Sequence, residues 1–215
     1  GWLLEARCLY KQAKYDEAAE LLDRCEADLP KGPNKHRAAL LKVRSQITRM
    51  RGAMPEALEL ASRARDEFAE IGDELAASAC ELIMARLHHE STGDHKTGMI
   101  LAESAHRKFS TVNDLARLAE CSYIMGHFYL ALDQPEQAQE AAREALELHE
   151  QVGNRFGMAS CANFNGEIAR NLGELEVAEE HYSSAIAILE AMGSRATFVP
   201  RLNLTLVFLQ RRSFA

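Results

Sequence analysis

The chain repeats one phrase at a fixed interval, and this constrains its fold more than any other feature. Residues 69–80 read AEIGDELAASAC, residues 110–121 STVNDLARLAEC and residues 150–161 EQVGNRFGMASC. EAMGSRATFVPR at 190–201 keeps the turn and loses the cysteine, and KGPNK at 31–35 places a turn one period ahead of Gly72. Self-similarity at a period of about 20–50 residues marks a stack of copied supersecondary units. Each unit buries its apolar face only against its neighbours, so such a chain does not fold around one central core.

Each period splits into two helical stretches. After the turn, the spacing predicts first helices over roughly 35–50, 74–91, 115–131, 155–171 and 196–211. Short polar breaks follow (RGAMPEA, TGDHKTG, LDQPEQA, LGELEVA), then second helices over 54–71, 95–112, 134–152 and 174–192. Residues 1–29 give the same pair once more, broken at QAKYDEA. In the first helices the apolar residues recur at i, i+3, i+7: Leu40, Val43, Ile47; Cys80, Ile83, Leu87; Cys121, Ile124, Phe128; Cys161, Phe164, Ile168. That spacing lines one face of a helix. The second helices carry small residues seven apart: Ala18 and Cys25, Ala57 and Ala64, Gly98 and Ala105, Ala138 and Ala145, Ala178 and Ala185. Small side chains let helix backbones approach closely, where bulky ones would overpack. Pro55 and Pro135 fall in the first turn of a helix, where a missing N–H costs nothing. Gly72, Gly153, Gly193 and Asn113 suit helix ends that need a left-handed residue.

Composition agrees and narrows the class. Aromatics make up 7% of the chain and there are five prolines, which argues against a β-sandwich, and the many Ala, Leu, Glu and Arg residues favour helix. A net charge of −7 disfavours broad attraction to nucleic acid or an anionic membrane. No apolar run reaches the ~18–20 residues of a membrane span, and the start has no signal-peptide pattern. Cys8, Cys25, Cys80, Cys121 and Cys161 form no CxxC pair and are odd in number. They read as reduced thiols used as small apolar residues in a cytoplasmic protein. Equivalent cysteines of successive repeats lie too far apart to share a metal at ~2.3 Å per Zn–S bond.

These residues resemble the tetratricopeptide-repeat family. Trp2 stands in the large slot of the first copy, Gly126 and Tyr129 match the fourth, and Gly166, Ala178, Tyr182 and Ala185 match the fifth. The stretch from Gln12 to Ala18 resembles the family's turn between helices. Arg44 and Asn165 stand where Leu is usual, Gly98 replaces an Ala, and the period is about 40 rather than about 34. The longer form resembles arrays attached to bacterial Ser/Thr kinases and ATPase-type transcription regulators. The resemblance implies an all-α, right-handed α-solenoid of antiparallel helix pairs. It divides into repeats at about 1–32, 33–72, 73–113, 114–153 and 154–193, with the first helix of a sixth at 194–215. The ending QRRSFA resembles the opening of a further second helix, so the chain reads as a fragment of a longer protein.

No catalytic motif accompanies the repeats. There is no phosphate-binding GxxxxGKS/T, no kinase set, no HExxH and no GxSxG. The ligand-rich stretch LHHESTGDH at 87–95 reads as a solvated turn, because its residues straddle the turn without fixed helical spacing. No enzyme, cofactor or metal is expected. The resemblance implies that the first helices line a concave groove with residues off the core stripe. These are Arg7, Tyr10 and Lys11; Lys42, Gln46 and Arg49; Leu82, Arg86 and His89; Tyr123, His127 and Leu130; and Asn163, Glu167 and Arg170. Arg and Asn on rigid helices suit a peptide backbone or carboxylate. The expected function is a protein-interaction scaffold holding a protein or peptide segment, extended or helical, with an acidic segment among the candidates. The alternative is a regulatory segment of a larger bacterial signalling protein. Self-association through exposed array ends is a further expectation.

Overall fold

The computed structural model describes residues 1–27, 29, 30 and 32–214, excluding the side chains of residues 92, 213 and 214. Lys31 of the first turn therefore lies outside the described residues. Helices α1 (Trp2–Lys11), α2 (Tyr15–Ala27), α3 (Lys35–Met50), α4 (Met54–Glu70), α5 (Glu74–Leu87) and α6 (His95–Thr111) form one compact unit. Helices α7 (Leu115–Ala131), α8 (Pro135–Gln151), α9 (Arg155–Asn171), α10 (Leu175–Ala191) and α11 (Phe198–Phe214) form a second. No strand occurs among the described residues. The helix pairs follow the sequence expectation to within a few residues, apart from a π-helical turn at His88–Thr92 and a late start to α11, which then runs unbroken through Gln210–Phe214.

A left-handed residue closes nearly every helix. From Gly32 these residues recur every 20 positions to Gly193, with one 21-residue step between Gly72 and Gly93. Asn113 and Asp133 take the role without glycine, and Ala13 takes it at φ 58° against the steric preference of an L-residue. The next helix is then capped: Asp73 accepts from the Ala76 N–H at 3.2 Å, Asp114 from Arg117 at 3.2 Å and Asn154 from Gly157 at 3.0 Å. Each cap satisfies an amide that the helix itself leaves open.

The cores are local. Leu40, Val43 and Ile47 pack with Ala6, Ala18 and Leu22, while Leu41 and Cys80 pack with Ala64 and Phe68. In the second unit Phe164 and Ile168 pack with Ala138 and Ala142, and Tyr182 packs with Ala169, Ala178 and Val207. Cys80, Cys121 and Cys161 are fully buried and Cys25 partly, but Cys8 is exposed, so it is not a core thiol. Arg44, anomalous for a Leu slot, reaches back to α2 and pairs with Asp23 at 2.8 Å and Glu26 at 2.9 Å. Within the first unit α1 touches α3 and α3 touches α5; within the second, α7 touches α9 and α9 touches α11. Successive second helices come less close, so each stack has its first helices on the inner side.

Candidate functional site

In the first unit the inner face gathers three expected residues into a polar cluster. Arg49 of α3 donates from Nη1 to both carboxylate oxygens of Glu90 at 2.9 Å, and the Tyr10 side chain of α1 lies close enough to interact electrostatically with it. Burial works against the guanidinium charge, but the bonds to Glu90 and the nearby Tyr10 outweigh it and the Arg49 pKa is raised. Glu90 belongs to the stretch expected to be a solvated turn. It instead joins two repeats, and the adjacent His88 is buried. Half-buried His89 titrates below its ordinary value, first through burial and then through the charges of His95 and Arg86, against the pull of Glu90.

Other expected residues of this unit stand apart. Lys42 Nζ lies 5.4 Å from the Phe68 ring centroid, a cation–π arrangement that ties it to α4. Leu82 is buried at 4% exposure and belongs to the core instead of the groove. Arg7 and Lys11 are exposed, and Gln46 and Arg86 are half-buried.

The second unit carries a tighter constellation. The rings of Tyr123 and His127 meet edge to face at 4.7 Å, and His127 lies 3.9 Å from Phe164 between centroids. One turn further, Asn163 Nδ2 donates to Glu167 Oε1 at 2.8 Å. Asn203 Nδ2 of α11 donates to Asn163 Oδ1 at 3.0 Å and approaches Glu167 Oε1 at 3.4 Å. Burial raises the Glu167 pKa against the lowering influence of Asn163, Arg170 and Asn203. Half-buried Arg170 therefore supplies positive charge to the same cluster. Asn203 was missed from the sequence, although it sits 40 residues after Asn163 and extending the period by one copy finds it. Glu90 was missed because an extra residue shifts the register there.

The buried thiols Cys80, Cys121 and Cys161 are pushed up to about 12 by burial, which removes thiolate character. Among the described residues no group of His, Cys, Asp and Glu is placed to hold a metal ion, and no helix is long and apolar enough to cross a membrane.

Residues 118–191 match the family model of the tetratricopeptide repeat. The structure is similar to that of a Rap protein complexed with competence and sporulation factor, with a TM-score of 0.86 and 17% identity over 99% of this chain. NprR in complex with its cognate peptide NprX gives 0.81 and 14% over 99% of this chain. The nearly identical TPR-like repeats of a Podosopora anserina kinesin light chain give 0.64 and 18%, covering 89% of this chain and 94% of that one. The chain spans 60% of the Rap chain and 62% of the NprR chain. No curated protein is a significant sequence match. At these identities the likeness establishes the α-solenoid fold of TPR-like helix pairs.

Proposed function

We propose that this chain, a tetratricopeptide-repeat protein, is a cytosolic interaction module that holds an extended peptide segment of a partner on the inner face of its first helices. The observation that carries this reading is the paired amides of Asn163 and Asn203. A primary amide offers one acceptor oxygen and two donor hydrogens. Asn163 Oδ1 is taken by Asn203 and one Asn163 hydrogen by Glu167, which leaves the Asn203 oxygen and the other Asn163 hydrogen outside these bonds, on two half-buried side chains. An open acceptor beside an open donor is the complement of one peptide group. The hydrogen bonds within the pair hold both amides in place, which lowers the ordering cost of binding.

The similar structures support the reading, since NprR was solved with its cognate peptide and Rap with competence and sporulation factor. In the first unit, exposed Arg7 and Lys11 and half-buried Arg86 favour an acidic stretch of partner. Arg86 makes no ion pair among the described residues, whereas Arg49 is already neutralised by Glu90. A second reading is supported by the share of Rap and NprR that the chain spans: the array is the ligand-sensing segment of a larger bacterial regulator.

The test is a fluorescence-anisotropy screen of labelled seven-residue peptides, half of them rich in Asp and Glu. Asn163→Ala/Asn203→Ala should weaken hits held by the second unit about tenfold or more, and Arg86→Glu should weaken acidic hits held by the first, both at unchanged far-UV helicity. Hits indifferent to both variants would place the site elsewhere.

A further inference from the structure

The sixth first helix starts late, and a pocket stands where its first turn would be. In earlier copies α5, α7 and α9 begin two residues after the left-handed residues Gly72, Asn113 and Gly153. After Gly193 the chain stays non-helical until Phe198. Pro200 explains the delay. A helix starting at the usual register would put this proline in its interior, without an N–H and with its ring against the Ala196 carbonyl, a loss of about 3 kcal/mol. The observed start places Pro200 third in α11, where no intrahelical donor is required, and the first helical bond runs from the Arg201 N–H to the Thr197 carbonyl at 3.1 Å. Ser194, in the capping position, accepts from the Ala196 N–H at 3.2 Å and closes a local turn instead.

The resulting cavity has a volume of about 210 Å³ and reaches the inner face. Buried Ala159 lies within it, Tyr123 and Phe156 flank it, and Val199 and Pro200 close it from α11. No charged side chain lines it, and Asn163 stands on its border. Phe156 and Val199 are 52% and 54% exposed, so apolar surface continues out of the pocket. The volume is below the ~300–1,000 Å³ of sites that enclose a drug-sized molecule, and it suits one large apolar side chain. Because Asn163 borders the cavity and belongs to the amide pair, a side chain in the pocket and a peptide group on the amides can come from adjacent residues of one strand.

We propose that this pocket is the specificity subsite of the peptide-binding face, taking a single Leu, Ile, Met or Phe side chain of the partner segment. The proposal rests on the peptide-binding reading above and adds the anchor residue to it. Burying one such side chain corresponds to roughly ten- to hundredfold in affinity.

The experiment selects phage-displayed random seven-residue peptides on the full 215-residue chain. Synthetic hits are then measured against the parent chain, Ala196→Trp and Asn163→Ala/Asn203→Ala. Ala196 lines the pocket from an exposed loop, so a larger side chain there fills the space without entering a helix interface. If Ala196→Trp lowers far-UV helicity, Ala196→Leu replaces it. The expected result is one peptide position confined to Leu, Ile, Met or Phe. Its change to Ala should weaken binding ten- to hundredfold in the parent and add little in Ala196→Trp. N-acetyl-leucinamide alone should bind at least a hundredfold more weakly than the hits; equal affinity would make this a free amino-acid site and overturn the proposal. Hits that need the Asn pair yet ignore Ala196→Trp and show no apolar preference overturn the pocket and leave the groove standing. Hits that ignore both variants, or no hits, overturn both.

Discussion

Replacing Gly166 by Ala tests whether an aromatic ring seated on bare backbone sets the spacing of α9 and α10. An ideal Cβ on Gly166 would lie 2.6 Å from Tyr182 Cε1, 2.7 Å from Cδ1 and 2.9 Å from Cζ. Carbon atoms rest at about 3.5–4.0 Å, so the ring must retreat by roughly 1 Å. Tyr182 is fully buried and packs with Ala169, Ala178 and Val207, so its retreat displaces α10 or α11. Overpacking of this kind costs about 1–3 kcal/mol, and Ala in place of a helical Gly returns about 0.5–1 kcal/mol. The net expectation is a loss of about 1–2 kcal/mol, read as a lower urea midpoint by far-UV circular dichroism. Tyr182→Leu removes the ring, and in that background Gly166→Ala should be neutral or stabilising. Gly126→Ala should cost less, because only Cε1 of Phe164, at 2.7 Å, falls inside 3.0 Å. A parent chain stabilised by Gly166→Ala would refute the reasoning, since it would mean that the ring does not rest on the glycine.

Three other outcomes follow from single observations. Ala13 is held at φ 58°, so Ala13→Gly should stabilise the first unit by about 1 kcal/mol in the same urea assay; an unchanged or lower midpoint would contradict the strain. A thiol-specific reagent at pH 8 should modify Cys8 quickly and Cys25 more slowly, and reach Cys80, Cys121 and Cys161, at about 12, only on unfolding. Rapid modification of three or more thiols in the native chain would refute their burial. Glu167 holds its proton more tightly when folded than unfolded, so its contribution to stability falls as pH rises from about 4.3 through the raised folded value. Glu167→Gln should therefore be more stable than the parent at pH 7 and converge with it below pH 4; a parent more stable at pH 7 would reverse the sign.

The frame of the molecule was legible because its determinants are local and repeated. A cysteine or leucine opening an i, i+3, i+7 stripe, a small residue on the facing helix and a left-handed residue every 20 positions fix a helix pair without knowledge of distant contacts. The inner-face residues are carried over by register from the family resemblance, and register does not report partners. It put Lys42 on the face without showing Phe68 beneath it, and Arg49 without Glu90. It also put Leu82 in the groove, where the structure buries it. Arg44 is the converse case: a charged residue in an apolar slot looked like a departure, and two acids on α2 account for it.

Two of the places where the regular pattern fails are also where the inner face becomes distinctive. The 21-residue step carries one residue too many between Cys80 and Gly93. Left inside a regular helix, that residue would turn everything beyond it by about 100° and carry the stripe off the core. A single π-helical turn absorbs it at the end of the helix instead, leaving Cys80 and Leu87 buried and moving the residue opposite Arg49 from His89 to Glu90. Pro200 acts in the opposite sense, removing a first helical turn and leaving a cavity beside Asn163. Both changes spare the stripes that pack one repeat on the next, so neither disturbs the stack. Copying constrains the faces that repeats show each other, because a change there must suit two neighbours at once. Inner-face residues off the stripes carry no such double constraint, so an added residue or a displaced helix start can alter that face without altering what is built.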